Sequence, residues 1–162
     1  MSAPAADTAF DEGELRARFV GRVVVTVWQG APRASTIAAL RAKVVEHHQR
    51  FGDGVALVVV AHGGPPDDAA RSAFKEMVAA VERSIAGVAV LVGIRGLRGK
   101  LVRGAVGAAL RALRLPFEVK ILESAAAIGG HVDRLLLGRG LDSPGAATIE
   151  GILRALDPTL ST

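Results

Sequence analysis

Cysteine is absent from this 162-residue chain. Disulfides, thiolate nucleophiles and cysteine-ligated metals are thereby excluded, and the fold must rest on burial, as suits a cytoplasmic protein. Tyrosine is absent too, and a single tryptophan with five phenylalanines makes up the aromatic content. A stacking platform for nucleic acid would need more, and sequence-specific nucleic-acid binding is not expected. The longest apolar runs, residues 55–61 and 86–94, fall well short of the roughly twenty residues that cross a bilayer, so no transmembrane segment is expected. Residues 1–11 are Ala- and Pro-rich and lack the charged and apolar blocks of a signal peptide. They read as a disordered terminus.

Acidic residues are nearly missing from one stretch. Residues 95–120 carry Arg95, Arg98, Lys100, Arg103, Arg111, Arg114 and Lys120 against Glu118 alone, while the whole chain has a net charge of only +4. The sequence pI of about 10.3 therefore describes one element, and the remainder of the chain is slightly acidic. Half of the residues are hydrophobic and 22% are charged, the balance of a folded domain with a real core.

Residues 22–29, 55–61 and 88–94 are nearly continuous aliphatic runs. Such runs predict strands covered on both faces, as in a parallel sheet between helices. In residues 117–122, Phe117, Val119 and Ile121 alternate with Glu118 and Lys120, which predicts a wetter strand near an edge. Residues 14–20 form a hairpin partner for the first run, turning at Gly21. Between the strands lie helical periods. One is Ile37, Leu40, Val44, His48 and Phe51; another is Ala70, Phe74, Met77, Val78, Val81 and Ile85, with Asp67 or Asp68 capping its start. A third helix spans 97–114, and a fourth begins at Ser124 but is interrupted by Gly129 and Gly130. Alternation of this kind gives an α/β sandwich with a mostly parallel, four- to five-stranded sheet and flanking helices. A Gly/Ser/Pro linker at 138–145 leads to a short helix, 146–156. Its stripe of Ile149, Ile152, Leu153 and Leu156 must dock on its own domain or on a neighbour.

The leading VVVTVWQGAP, the strand VALVVVA, the block VAVLVGIRGLRGKLVRGAVGAAL and the closing PFEVKILES together resemble the STAS superfamily, the anti-sigma-factor antagonist-like domains of bacteria. The resemblance covers residues 14–137. It implies a STAS-like sandwich and a regulatory domain that works by binding partners, in some members within a phosphorylation switch or with a nucleotide or lipid. Phosphorylatable members place Asp-Ser-Ser, or a similar triplet, between strand and helix. Here the matching junction is His62-Gly63-Gly64-Pro65-Pro66-Asp67-Asp68, without Ser or Thr, and Ser72 comes a turn later. A phosphoserine switch of the usual form is not expected.

On a helical period of about 100° per residue, Lys100, Arg103, Arg111 and Arg114 share one side of the third helix, with Gly104 and Gly107 alongside. Leu101, Val102, Ala105, Val106, Ala109 and Leu113 lie opposite and are expected to pack on the sheet. With Arg95 and Arg98, this basic side is the candidate contact surface. It suits an acidic protein, self-association, or weak binding of anionic lipid or phosphate; it also reads simply as a solvated helix face. The Gly-rich turn at 93–100 is not a P-loop, because no Ser or Thr follows Lys100. His47 and His48 are adjacent on a helix and diverge, so no metal site is expected; His48 reads as a core histidine with one satisfied nitrogen. His62-Gly63-Gly64 is similar to an esterase oxyanion loop, yet no GxSxG is present, which makes a small hydrolase the least supported reading. The expectation is a non-enzymatic regulatory or scaffold domain without a cofactor.

Overall fold

The computed structural model describes residues 8–94, 96–112 and 114–161, with the side chains of Ala109 and Ser161 left aside. Six strands and five helices alternate along the chain: β1 (Thr8–Glu12), β2 (Leu15–Val20), β3 (Val23–Trp28), α1 (Ala34–Arg50), β4 (Val55–Ala61), α2 (Asp68–Val81), β5 (Ile85–Val92), α3 (Gly96–Ala112), β6 (Val119–Leu122), α4 (Ala125–Gly138) and α5 (Ala146–Leu156). The strands form one sheet in sequence order. β1, β2 and β3 are antiparallel neighbours, and β3 to β6 run parallel. The fold is therefore α/β with a mostly parallel sheet.

This order fixes where the helices go. Each parallel connection joins adjacent strands, and right-handed crossovers in a constant direction place their helices on one face. Accordingly Ile37, Leu40 and Val44 of α1 join Ala70, Met77 and Val81 of α2 over Phe19, Val24 and Trp28. On the opposite face, Val23, Val25 and Val27 with Val58 and Val60 pack under α4 and α5. The continuous aliphatic runs thus bury both faces of β3 and β4.

The hairpins turn where glycine is needed. Gly13 and Gly21 adopt φ of +54° and +52°, in the left-handed region that a Cβ disfavours. Across the first turn, burial alone would raise the Glu14 carboxyl. Bonds from its own amide, the Arg33 amide and guanidinium and the Thr36 hydroxyl hold it down at about 2. Asp67 caps α2 by accepting from the Ala70 amide at 2.8 Å, and Ser124 caps α4 by accepting from Ala127 at 3.1 Å.

Three expectations are corrected. Residues 8–11 are not a loose terminus: they belong to β1, whose Asp11 meets Arg18 at 2.6 Å and whose Phe10 packs toward the α1–α2 core. Residues 1–7 lie outside the described residues. Gly129 and Gly130 do not interrupt α4. Gly129 is buried where a Cβ would sit 2.5 Å from the Ala146 carbonyl oxygen, so its bareness lets α5 approach. Residues 139–145 are a tied connection and not a slack linker. Leu141 packs on the core, Arg22 grips Asp142 at 2.6 Å, and Ser143 donates to Asp133 at 2.7 Å.

His48 is 3% exposed and bonds the Val44 carbonyl through Nδ1 at 2.8 Å, with Nε2 unpartnered. Burial pushes its pKa down to about 4, against the carbonyl contact that opposes it. The folded state holds His48 neutral, while the unfolded chain protonates it near 6.5. Stability is therefore lost as pH falls from about 6.5 to 4, by up to about 3 kcal/mol from His48. Urea titrations of His48→Leu should show a shallower acid limb, with the part due to His47, also held down by burial, remaining. Gly129→Ala should cost roughly 1–3 kcal/mol by forcing α4 and α5 apart, read as a lowered Tm.

Candidate binding surface around the basic helix

α3 and β6 form the last corner of the sheet. Val119 and Ile121 are in register with Val88 and Val90, so they face the side that carries α1 and α2. α3 lies over them, with Gly107 bringing the helix close enough that a Cβ there would stand 3.5 Å from Ile121 Cδ1. Gly99 is buried, and a Cβ on it would overlap the Ile94 carbonyl.

The helix is rotated relative to the expected amphipathic split. Its inward side consists of Gly99, Val102, Arg103, Val106, Gly107 and Leu110. Leu97 and Leu101 point outward, 75% and 68% exposed, and Ala105 is exposed as well. Leu101 and Ala105 therefore do not pack on the sheet. The reason is steric: glycine seats the backbone close to the loop after β5, and bulk collects on the far side. Leu113 and Arg95 lie outside the described residues.

The cations flank that outward apolar strip. Arg98, Lys100, Arg111 and Arg114 are exposed, and Arg103 is half-buried. None of these five, nor Lys120, meets a carboxylate among the described residues. Arg18, Arg22, Arg33, Arg41, Arg71 and Arg154 each do. The sequence grouping of Lys100, Arg103 and Arg111 on one side of the helix holds, and that side leans toward β6.

Two clefts border α3. The first, about 440 Å³, has Leu110, Phe117, Val119 and Ile121 as its apolar lining and Arg111, Arg114 and Lys120 beside them. The second, about 490 Å³, opens at the carboxyl ends of β5 and β6 between Gly93, Arg103, Glu123, Ser124 and Arg154. Arg154 is held there by Glu150 at 2.6 Å and by the Leu160 carbonyl at 2.9 Å.

One constellation has no sequence signature. His62, at the end of β4, donates through Nε2 to Asp157, which lies just beyond α5. Asp157 is 1% exposed and also accepts from the Thr159 amide at 3.1 Å and hydroxyl at 2.6 Å. Burial would raise this carboxyl, but the bonds from Thr159 and His62 outweigh it and hold the group below its ordinary value. The His62 ring fills the space left by Gly93, where a Cβ would overlap it. Ninety-five residues separate the pair, so no spacing rule could announce it. Its evident work is to fasten the C-terminal segment to the sheet.

The stripe on α5 is likewise claimed by the domain itself. Ile149, Leu153 and Leu156 are buried against β3 and α4, with Ile152 packed beside them. At roughly 2 kcal/mol for each buried side chain, this docking is internal, and the stripe is not a free surface for a partner. Among the described residues no three His, Asp or Glu side chains group as metal ligands, and no helix is long and apolar enough to cross a membrane. Comparison with known proteins finds no matching family and no matching curated protein.

Arg114 ends α3 with φ of +46°, a left-handed conformation that costs a residue with a Cβ about 1 kcal/mol. Arg114→Gly should leave stability unchanged or raise it by up to about 1 kcal/mol in thermal unfolding, since part of the relief is offset by the freer unfolded chain. If the side chain serves binding, the same substitution weakens capture of an acidic partner.

Proposed function

We propose that this chain is a non-enzymatic regulatory or scaffold domain of the STAS type that binds an acidic protein through the α3–β6 corner. The observation that carries the reading is the cluster of six cations without carboxylate partners among the described residues, set beside an apolar cleft. Charges left unpaired on one corner are available to a partner, where they contribute orientation and encounter rate. The STAS resemblance supports the same reading through its element order, strand, helix and hairpin. The packing of the His62 ring against Gly93, with no GxSxG nucleophile in the sequence, favours a structural role for the His62 loop over a hydrolytic one.

A second reading is supported by Leu97 and Leu101. Two exposed leucines flanked by arginine and lysine suit insertion at an acidic membrane surface.

One experiment separates these. Affinity capture from the cells of origin is compared between the wild type and Arg98→Glu/Lys100→Glu/Arg111→Glu, both shown to melt alike. A protein held at low salt by the wild type and reduced at least about tenfold by charge reversal is expected. Equal capture by both would overturn the role of the basic corner. Salt-sensitive retention on phosphatidylglycerol vesicles, with no protein captured, would favour the membrane reading instead.

A further inference from the structure

β6 ends the sheet with four residues and pairs only with β5 among the described residues. The Val88 amide donates to the Glu118 carbonyl at 2.9 Å. Backbone groups alternate in direction along a strand, so Glu118, Lys120 and Leu122 turn theirs toward β5. Val119 and Ile121 turn their amides and carbonyls away from the sheet, toward an edge where no described strand lies. The same two residues place their side chains on the apolar floor of the α3 cleft, beside Leu110 and Phe117. Open backbone groups, an apolar floor and a cationic rim thus converge on one pair of residues.

We propose that this edge takes a short extended segment of an acidic protein as an added strand, with alternate apolar side chains entering the cleft. The proposal rests on the protein-binding reading above and names how the partner is held. Charge selects the occupant. Arg111 and Arg114 line the cleft, and Lys120 lies on the same edge with its side chain alternating to the α4 face of the strand. α3 contains no acid from Gly96 to Ala112; Glu118 and Glu123 are the exposed acids flanking the strand, and His131 of α4 senses both Lys120 and Glu118. A second copy matches less well. Its own β6 edge is equally basic, and on its β1 edge Asp11 is already engaged by Arg18 with Arg16 close by, which leaves Glu12 as the one acid of that strand without an ion pair among the described residues. Four edge residues offer few backbone bonds, so cleft burial and opposite charge must supply much of the affinity.

The test uses the full chain labelled with ¹⁵N and a capped six-residue peptide alternating Glu and Val. Two copies, one N-methylated at the Glu amides and one at the Val amides, keep its charge and side chains, and each blocks pairing along one of the peptide's two edges. The parent peptide is expected to bind at least about tenfold tighter than the copy whose methylated edge meets β6, to bind like the other copy, and to slow amide exchange at Val119 and Ile121. Ile121→Pro removes the outward amide, which an edge strand tolerates, and trims the same side chain from the cleft floor as Ile121→Ala does; it should weaken the parent peptide by a similar factor relative to Ile121→Ala. If that variant fails to fold, the N-methylated peptides decide the matter on the wild type. Equal binding of all peptides, lost in Arg111→Glu/Arg114→Glu, overturns the added strand while the basic corner stands as a protein-binding surface. No binding up to millimolar peptide also overturns the added strand. Retention on phosphatidylglycerol vesicles without peptide binding overturns it together with the protein-binding reading.

Discussion

Strands β3, β4 and β5 have almost no polar side chains, and each needs a cover on both faces. The rest of the molecule follows from that requirement. Parallel connections between neighbouring strands send α1, α2 and α3 to one side. The other side stays bare until the chain has left its last strand, when α4 and then α5 close over it. α5 is therefore part of the core, and the contacts around it read as fastenings. Leu141 packs beneath the connection, Arg22 bonds Asp142, and Asp157 meets His62.

The same topology leaves the α3–β6 corner lightly covered. β6 is short and lies at the edge. α3, seated on Gly99 and Gly107, presents leucines outward instead of inward. An exposed helix of this composition gains nothing in stability from its two outward leucines, nor from exposed Gly104 in place of alanine. Those features, and six cations without acid partners among the described residues, agree with a surface shaped for contact. Elsewhere some basic side chains are drawn into local pairs, such as Arg33 with Glu14 and Arg22 with Asp53. Others, such as Arg50 and Arg139, meet no carboxylate among the described residues; what sets the corner apart is that its cations cluster.

Where burial follows a single clear period, the sequence was readable. The aliphatic runs, the buried stripe Ile37–Leu40–Val44–His48, the caps at Asp67 and Ser124 and the edge position of Val119 and Ile121 all emerge from local pattern. α3 was harder because Leu, Val, Ala and Gly occur all around it; only the depth of the glycine seats decides its rotation. β1 was missed because Phe10 is its one large apolar residue. Gly129 looked like a helix breaker, since nothing local shows that Ala146 lies above it. Of the candidate residues, Arg98, Lys100, Arg111 and Arg114 stand exposed as expected, Arg103 is partly drawn inward, and the α5 stripe is enclosed. The His62–Asp157 tie is purely a product of topology.

The chain carries only four lysines, and all are exposed: Lys43 on α1, Lys75 on α2, Lys100 on α3 and Lys120 on β6. Amine footprinting read by mass spectrometry can therefore compare the proposed surface with an internal control. In an extract of its own cells, against the purified protein alone, Lys100 and Lys120 should lose reactivity while Lys43 and Lys75 keep theirs. Protection of Lys43 or Lys75 with Lys100 and Lys120 unchanged would place the contact elsewhere and contradict the account.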